Sequence, residues 1–138
     1  MTDPGLKQLL TETQTIAVVG HSDKVWRDSY RIGVYLRAEG YRVYAVNPNI
    51  TEVLGQPVYP DLAAVPETID LVDVFRASVH VPDVVTQTIA VGAKAIWTQL
   101  GVYVPPDDRA RLEEAGVKIV ENHCIKVDHQ RLLAYHPA

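Results

Sequence analysis

A glycine followed by hydroxyl and cationic side chains occupies residues 20 to 27. The stretch reads G-H-S-D-K-V-W-R, in which Gly20, Ser22, Lys24 and Arg27 are residue types that bind phosphate. A short apolar run, TIAVV, precedes it, and a helical pattern follows it. The free N–H groups and the positive dipole end at a helix N-terminus attract anions. We therefore predict that this loop binds a phosphate or pyrophosphate, with His21 as an additional contact.

The same loop departs from the dinucleotide-binding fingerprint G-x-G-x-x-G. Ser22 and Val25 stand where the second and third glycines belong. The second predicted strand ends in Asn47-Pro48, where NAD-binding proteins normally carry a carboxylate for the ribose. These departures favour a nucleotide with a phosphorylated ribose over NAD. A regulator that binds NAD or an adenine nucleotide stays open as an alternative.

Cys124 is the only cysteine in the chain and follows His123 directly. Neighbouring side chains on an extended chain point to opposite faces, and an isolated cysteine is commonly a small buried residue. His123, Cys124 and His129 also lack the spacing of a zinc site. We therefore predict no catalytic residue and no metal site. A thiol-dependent enzyme that uses Cys124 stays open as the alternative.

Composition narrows the classes of partner. The 138 residues are 47% hydrophobic, which suits a single domain spanning residues 1–138. Seventeen acidic residues against thirteen basic ones give a net charge of -4, so we expect no nucleic acid partner. No apolar run approaches the length of about 18 residues that a membrane span needs, and no signal peptide is evident. We expect a cytoplasmic protein with no membrane partner.

Strand patterns alternate with helical patterns along the chain. Strands are predicted at 15–19, 41–48, 70–76, 93–101 and 117–122, with a short extended piece at 55–59. Helices are predicted at 29–39, 81–92 and 105–116, with single helical turns at 61–64 and after Cys124. This order predicts an α/β fold. We expect a Rossmann-like open parallel sheet of about five strands, in the order 3-2-1-4-5, with helices on both faces.

Ligands of such sheets bind outside the carboxyl ends of the strands, where the strand order reverses. Here that position lies between the strands at 15–19 and 70–76. The residues at the ends of the predicted strands are Gly20, His21, Ser22, Asn47, Pro48, Phe75, Arg76, Trp97, Thr98, Gln99, Leu100 and Gly101. We expect the loops that carry them to form one crevice.

Several segments, in order, resemble a known family. They are IAVVG-x-S-D-K at 16–24, R-x-SYR at 27–31, AVNP at 45–48, EVLGQPVYPDLAAVP at 52–66, DLVDVFR at 70–76, GAKAIWTQLGV at 92–102 and CIKVDH at 124–129. Together they resemble the small single-domain coenzyme A-binding proteins, which are similar to the N-terminal domain of the succinyl-CoA synthetase alpha subunit. The resemblance covers about residues 12–133.

The resemblance implies a Rossmann-like fold with coenzyme A bound across the carboxyl edge of the sheet. It implies that the phosphates are bound by a loop of Gly20, His21, Ser22, Lys24 and Arg27, and that the adenosine lies against Asn47 and Pro48. It also implies that Val74, Phe75 and Arg76 border the nucleotide and the pantetheine. The pantetheine would then follow a path lined by Trp97, Thr98 and Gln99. Many relatives carry a small residue in place of His21 and Gly-Arg-Pro in place of Trp26-Arg27-Asp28.

The resemblance also bears on activity. The phosphorylated histidine of the synthetase belongs to a second domain, so we expect no ligase activity from this chain alone. The expected function is binding of coenzyme A or a short acyl-CoA, as a non-catalytic carrier, sensor or detached subunit. An acyl-CoA-linked enzyme that needs a protein partner stays open as the alternative.

Overall fold

A seven-stranded sheet runs through residues 1–134, the part of the chain that the computed structural model describes. The strands are β1 (Thr15–Val19), β2 (Arg42–Val46), β3 (Glu52–Val53), β4 (Gln56–Tyr59), β5 (Leu71–Val74), β6 (Ala95–Thr98) and β7 (Lys118–Val120). Their order across the sheet is β3-β4-β2-β1-β5-β6-β7. Only β3 runs antiparallel to its neighbour, so the predicted Rossmann-like α/β fold is confirmed.

The sheet has more strands than the five or so predicted. With the short extended piece at 55–59 counted as the third strand, the predicted order 3-2-1-4-5 corresponds to β4-β2-β1-β5-β6, and the sheet continues into β7. The remaining strand, β3, forms a hairpin with β4 through Leu54 and Gly55, which both have positive φ angles. Positive φ at both central residues is typical of the tightest hairpin turns. Residues 135–138 of the predicted domain lie outside the described residues.

Five α-helices flank the sheet within the described residues. They are α1 (Asp3–Glu12), α2 (Asp28–Ala38), α3 (Val81–Ala90), α4 (Pro106–Glu114) and α5 (Ile125–His129). Single turns of 3-10 helix occupy Leu62–Ala64 and Ser78–His80, and a π-helical turn, Gln130–Ala134, follows α5. None of the described helices combines the length and hydropathy needed to cross a bilayer.

Each face of the sheet has its own hydrophobic core. Alternation along β1 directs Ile16 and Val18 to one face and Ala17 and Val19 to the other, and all four are buried. The core around Ile16 and Val18 contains Leu6, Leu9, Leu10, Ile32, Leu36, Leu71, Trp97 and Ile125, contributed largely by α1, α2 and α5. The core around Ala17 and Val19 contains Val72, Val74, Val81, Val84, Val85, Ile96 and Leu112, contributed largely by α3 and α4. The two cores therefore cover both faces of β1, β5 and β6.

The strand order reverses beside β1. This strand pairs with β2 on one side and β5 on the other, and the chain leaves β1 towards α2 and β5 towards α3, which pack on opposite faces. At its carboxyl end Gly20 N donates to Val46 O, and Phe75 N donates to Val19 O. The loops after β1, β2 and β5 therefore start side by side, which opens a crevice between them.

Candidate functional site

Two adjoining cavities lie at the carboxyl edge of the sheet. The first, here called the loop cavity, measures about 500 Å³ and is lined by the segment from Gly20 to Ser29 together with Asn47 and Ile50. The second, here called the cleft cavity, measures about 440 Å³ and is lined by the first half of α2, by the residues after β5 and β6, and by the start of α5. Asp28 and Phe75 border both cavities. One elongated ligand can therefore occupy both.

Gly20 is required by the close approach of two strand ends. Its φ angle is +89°, and a Cβ atom at this position would lie 2.4 Å from the carbonyl oxygen of Phe75. Any side chain here would collide with backbone that cannot move aside. The glycine allows the loop after β1 to leave that strand directly over the end of β5.

The loop after Gly20 is held by hydrogen bonds to its own backbone. Ser22 N donates to Ser29 Oγ (2.9 Å), and Lys24 N donates to Ser22 Oγ (3.0 Å). Asn47 Nδ2 donates to the carbonyl oxygen of His21 (3.1 Å). Asn47 therefore ties the loop to the end of β2, in addition to lining the loop cavity.

The His21 side chain lies beneath the loop rather than in the cavity. It is fully buried, with Nδ1 2.9 Å from the carbonyl oxygen of Ser22 and Nε2 3.0 Å from Arg37 Nη1. Because arginine can only donate, Nε2 accepts and Nδ1 carries the proton. Burial lowers the pKa of His21 to about 4, so the ring is neutral at pH 7. His21 does not line the loop cavity, so the predicted contact between its side chain and a phosphate is not available in this arrangement.

Gly33 provides the space for this ring. A Cβ atom at Gly33 would lie 2.3 Å from His21 Nε2 and 3.0 Å from Arg37 Nη1. The missing side chain on α2 therefore lets the imidazole sit between the loop and the helix.

Cationic side chains face the loop cavity. Lys24 and Arg27 both line it and are exposed. Lys24 Nζ is 3.8 Å from Asp23 Oδ1, and Arg27 forms no ion pair within residues 1–134. Arg31 braces the end of the loop, since it donates to the Trp26 carbonyl (2.7 Å) and pairs with Asp28.

Phe75 and Arg76 extend from β5 into the crevice. The Phe75 side chain separates the loop cavity from the cleft cavity. Arg76 borders the cleft cavity and also a smaller cavity of about 180 Å³ beside Pro48. Val74, which precedes Phe75 on β5, is fully buried in the core and lines neither the loop cavity nor the cleft cavity.

The strand β6 and its following loop supply one wall of the cleft. Trp97 and Thr98 are fully buried; Trp97 Nε1 donates to His123 O (2.9 Å), and Thr98 Oγ1 donates to Val102 O (2.8 Å). Their side chains fix the loops around the cavity without lining it. Gln99 does line the cleft cavity and is 7% exposed.

The structure brings further residues to the cleft cavity. Leu100, which follows a predicted strand, lines the cavity together with Cys124, which is half-buried. Lys126 lines it as well and was not among the predicted site residues. The side chain of His123 bonds to Asp128 Oδ2 at 2.7 Å instead of pairing with Cys124. Asp73, fully buried beside the cleft, was also missed; a lone carboxylate within the apolar run L-V-D-V was the available signal.

Comparison with known proteins decides the family. The sequence model of the CoA binding domain family matches residues 14–130. The chain belongs to the CoA-binding domain family. The resemblance drawn from the sequence motifs is thereby confirmed.

Two relatives are similar to this CoA-binding domain over nearly their whole length. YneT of Bacillus subtilis, an uncharacterized protein, is 35% identical over 124 residues, which cover 90% of this chain and 91% of YneT. A solved structure of a hypothetical protein from Pyrococcus horikoshii is 39% identical, with a TM-score of 0.92 over 96% of this chain and 93% of that one.

Much longer enzymes contain a related domain. The ADP-forming acetate–CoA ligase II of Archaeoglobus fulgidus is 26% identical over 129 residues, which cover 91% of this chain and 19% of the ligase. The CoA-binding domain described here thus spans about a fifth of that enzyme. It is homologous to one domain of an acyl-CoA ligase and related to the succinyl-CoA synthetase type of CoA-binding domain.

Proposed function

We propose that this CoA-binding domain binds coenzyme A, or a short acyl-CoA, across the carboxyl edge of its sheet and has no catalytic activity of its own. The observation that carries the proposal is the pairing of two different cavities. The loop cavity has exposed cations at a helix N-terminus, and the adjoining cleft cavity is mainly apolar. Coenzyme A has the same division, with phosphates at one end and a long pantetheine arm at the other.

The phosphates fit the loop cavity. Arg27 is the N-cap residue of α2 and makes no side-chain cap hydrogen bond, so the first-turn N–H groups can bind an anion. The carboxylate of Asp28 in that turn is neutralised by Arg31. Arg27 suits a bidentate phosphate contact, and Lys24 a point-charge contact.

The remainder of the ligand extends to either side of the phosphates. We place the adenosine beside Asn47 and Pro48, near the smaller cavity that Arg76 borders. The pantetheine arm passes Phe75 and follows the cleft cavity along Gln99 towards Cys124. Trp97 and Thr98 support this path from beneath, because both are buried.

A binding role is favoured over a catalytic one by the partners of the histidines near the site. The His21 ring is buried against Arg37, and His123 is bonded to Asp128, so neither is arranged as a base for Cys124. A carrier, a sensor or a detached subunit all fit a domain that binds the cofactor and leaves its chemistry to another protein. Replacing Cys124 by Ser tests the enzyme alternative: unchanged affinity for coenzyme A supports binding, and loss of a measurable turnover would support catalysis.

Calorimetric titration tests the proposal. We expect saturable binding of coenzyme A, weaker binding of 3'-dephospho-coenzyme A and still weaker binding of NADH. Arg27→Ala should weaken binding of coenzyme A by about tenfold or more, because a hydrogen bond to a charged group contributes roughly 1.5 to 3 kcal/mol. Lys7→Ala is the control, since Lys7 is an exposed cation on α1 outside both cavities. Equal affinity for NADH and coenzyme A, or no effect of Arg27→Ala, would contradict the proposal.

A further inference from the structure

Asp73 is a buried carboxyl group that lines neither the loop cavity nor the cleft cavity. It lies on the central strand β5, opposite Trp97 of β6, and has no exposed surface. Its Oδ2 atom has no hydrogen-bond partner within residues 1–134. A buried polar group without full hydrogen bonding costs free energy. A buried carboxyl group with an unpartnered oxygen inside a sheet therefore needs an explanation, and a functional role is one.

The partner of Asp73 is the side chain of Gln99. Gln99 Nε2 donates to Asp73 Oδ1, and Gln99 Oε1 accepts from the backbone N–H of Ile125 at 3.4 Å. The carboxamide is thus held at both ends, by β5 through its nitrogen and by the first residue of α5 through its oxygen. The Ile125 N–H requires the oxygen on its side, so the nitrogen must face Asp73.

This arrangement leaves one amide hydrogen of Gln99 available. Nε2 carries two hydrogens, and Asp73 is its single partner in the part of the chain that the structure describes. Gln99 lines the cleft cavity among Phe75, Leu100, Val102 and Cys124. A polar group in such a mainly apolar wall orients a ligand by hydrogen bonding to it.

We propose that Asp73 is a positioning residue: it holds the Gln99 carboxamide so that its second N–H group donates to an amide carbonyl oxygen of the pantetheine arm. This inference rests on the proposed function, because it requires the arm to lie in the cleft cavity. It assigns Gln99 the direct contact and Asp73 an indirect one.

The protonation state of Asp73 agrees with this role. Burial raises the pKa of Asp73 to about 8, an effect that the hydrogen bond from Gln99 opposes only in part. At pH 7 the group is therefore predominantly an uncharged carboxylic acid. It can accept from Gln99 through Oδ1 without placing a full negative charge under an apolar cavity.

The test compares coenzyme A with a ligand that has no pantetheine arm. That ligand is adenosine 3',5'-bisphosphate, which lacks both the arm and the second of the two 5'-phosphates of coenzyme A. Gln99→Met keeps the length of the side chain but removes the N–H donor. We expect this variant to bind coenzyme A about fivefold to tenfold more weakly than the wild type, as for the loss of one hydrogen bond. Binding of the bisphosphate should stay within about twofold of the wild type, because this ligand has no arm to contact Gln99 and distant sites act independently.

Variants of Asp73 separate positioning from packing. Asp73→Asn keeps an acceptor for Gln99 Nε2 and should retain the affinity for coenzyme A. Asp73→Val removes the acceptor and should lower the affinity for coenzyme A about as much as Gln99→Met does. The double variant Asp73→Val with Gln99→Met should be no weaker than Gln99→Met alone, since both changes remove the same contact. A merely structural role for Asp73 would instead give additive losses for both ligands.

The possible failures are distinguishable. If wild-type protein binds coenzyme A no tighter than the bisphosphate, the arm does not use the cleft and the proposed function fails. If coenzyme A binds tighter but Gln99→Met leaves its affinity unchanged, the inference about Asp73 and Gln99 is overturned. If Asp73→Val does not fold, the comparison of Asp73→Asn with Gln99→Met tests whether Asp73 positions Gln99. Asp73→Asn still carries an acceptor oxygen, so an affinity loss equal to that of Gln99→Met would contradict positioning through an acceptor.

Discussion

His21 shows at the scale of one residue how the loop is built. Its imidazole fills the space between the loop and α2. Its hydrogen bonds to Ser22 O and Arg37 replace water on both ring nitrogens. The ring therefore acts as a support for the backbone of the loop that lines the loop cavity.

The buried His21 ring makes stability depend on pH. Burial lowers its pKa from 6.5 to about 4, so the folded state resists protonation while the unfolded chain protonates near 6.5. The stability that His21 contributes is present above pH 6.5 and is lost as the pH falls towards 4, by up to about 3 kcal/mol. Urea unfolding of the wild type and of His21→Gln at pH 7 and at pH 4.5 measures this.

The comparison of the wild type with His21→Gln isolates the contribution of His21 to the pH dependence, because carboxylates that titrate between pH 7 and pH 4.5 are the same in both proteins. We expect the wild type to lose more free energy of unfolding than His21→Gln between the two pH values. Equal losses would show that the His21 ring is accessible to protons in the folded state, contrary to its burial against Arg37.

At the scale of elements, α2 is shaped around the loop that precedes it. A glycine inside a helix usually lowers stability by about 1 kcal/mol relative to alanine. At Gly33, however, an added methyl group would collide with the buried His21 ring at 2.3 Å. We expect Gly33→Ala to lower the free energy of unfolding by about 1 to 3 kcal/mol, as overpacking does. Chemical denaturation measures the change.

Gly5→Ala is the matched control for that variant. Gly5 lies in α1, where an added Cβ would meet mainly the side chain of the exposed residue Met1, which can move aside. The control should be neutral or stabilising by up to about 1 kcal/mol. A Gly33→Ala protein as stable as the Gly5→Ala protein would refute the role assigned to Gly33.

The strands other than β3 and the helices α2 to α4 could be predicted because their residue patterns agree with their burial. The run TIAVV, for example, is buried at every position, as expected for a central parallel strand. Helix α1 was not predicted, because its polar composition resembles a free terminus. Its signals were Thr2, which caps Gly5 N, and the apolar residues Leu6, Leu9 and Leu10 at helical spacing.

At the scale of the whole molecule, the candidate site combines segments that are far apart in the sequence. The loop after β1 and the residues after β5 could be assigned to one crevice from strand order alone. The contributions of Lys126, Cys124 and Asp73 could not, since they depend on how α5 folds back over β5 and β6. Likewise, the inward orientation of His21 depends on the space left by Gly33, and spacing within the loop does not reveal it.

The molecule also offers an internal control for the location of binding. A cavity of about 300 Å³ lies at the opposite, amino edge of the sheet, lined by residues such as Leu9, Glu12, Asp70 and Lys94. It is separated from the loop and cleft cavities by the length of the strands. A ligand bound as proposed should leave this edge unperturbed.

Mapping of backbone amide NMR shifts during titration with coenzyme A tests the central claim most directly. We expect the largest shifts at Gly20, Ser22, Lys24, Phe75 and Gln99, and none beyond noise at Glu12, Asp70 and Lys94. That result would locate the phosphates at the loop and the arm in the cleft. Shifts confined to the amino edge, or no saturable shifts at millimolar coenzyme A, would contradict the account.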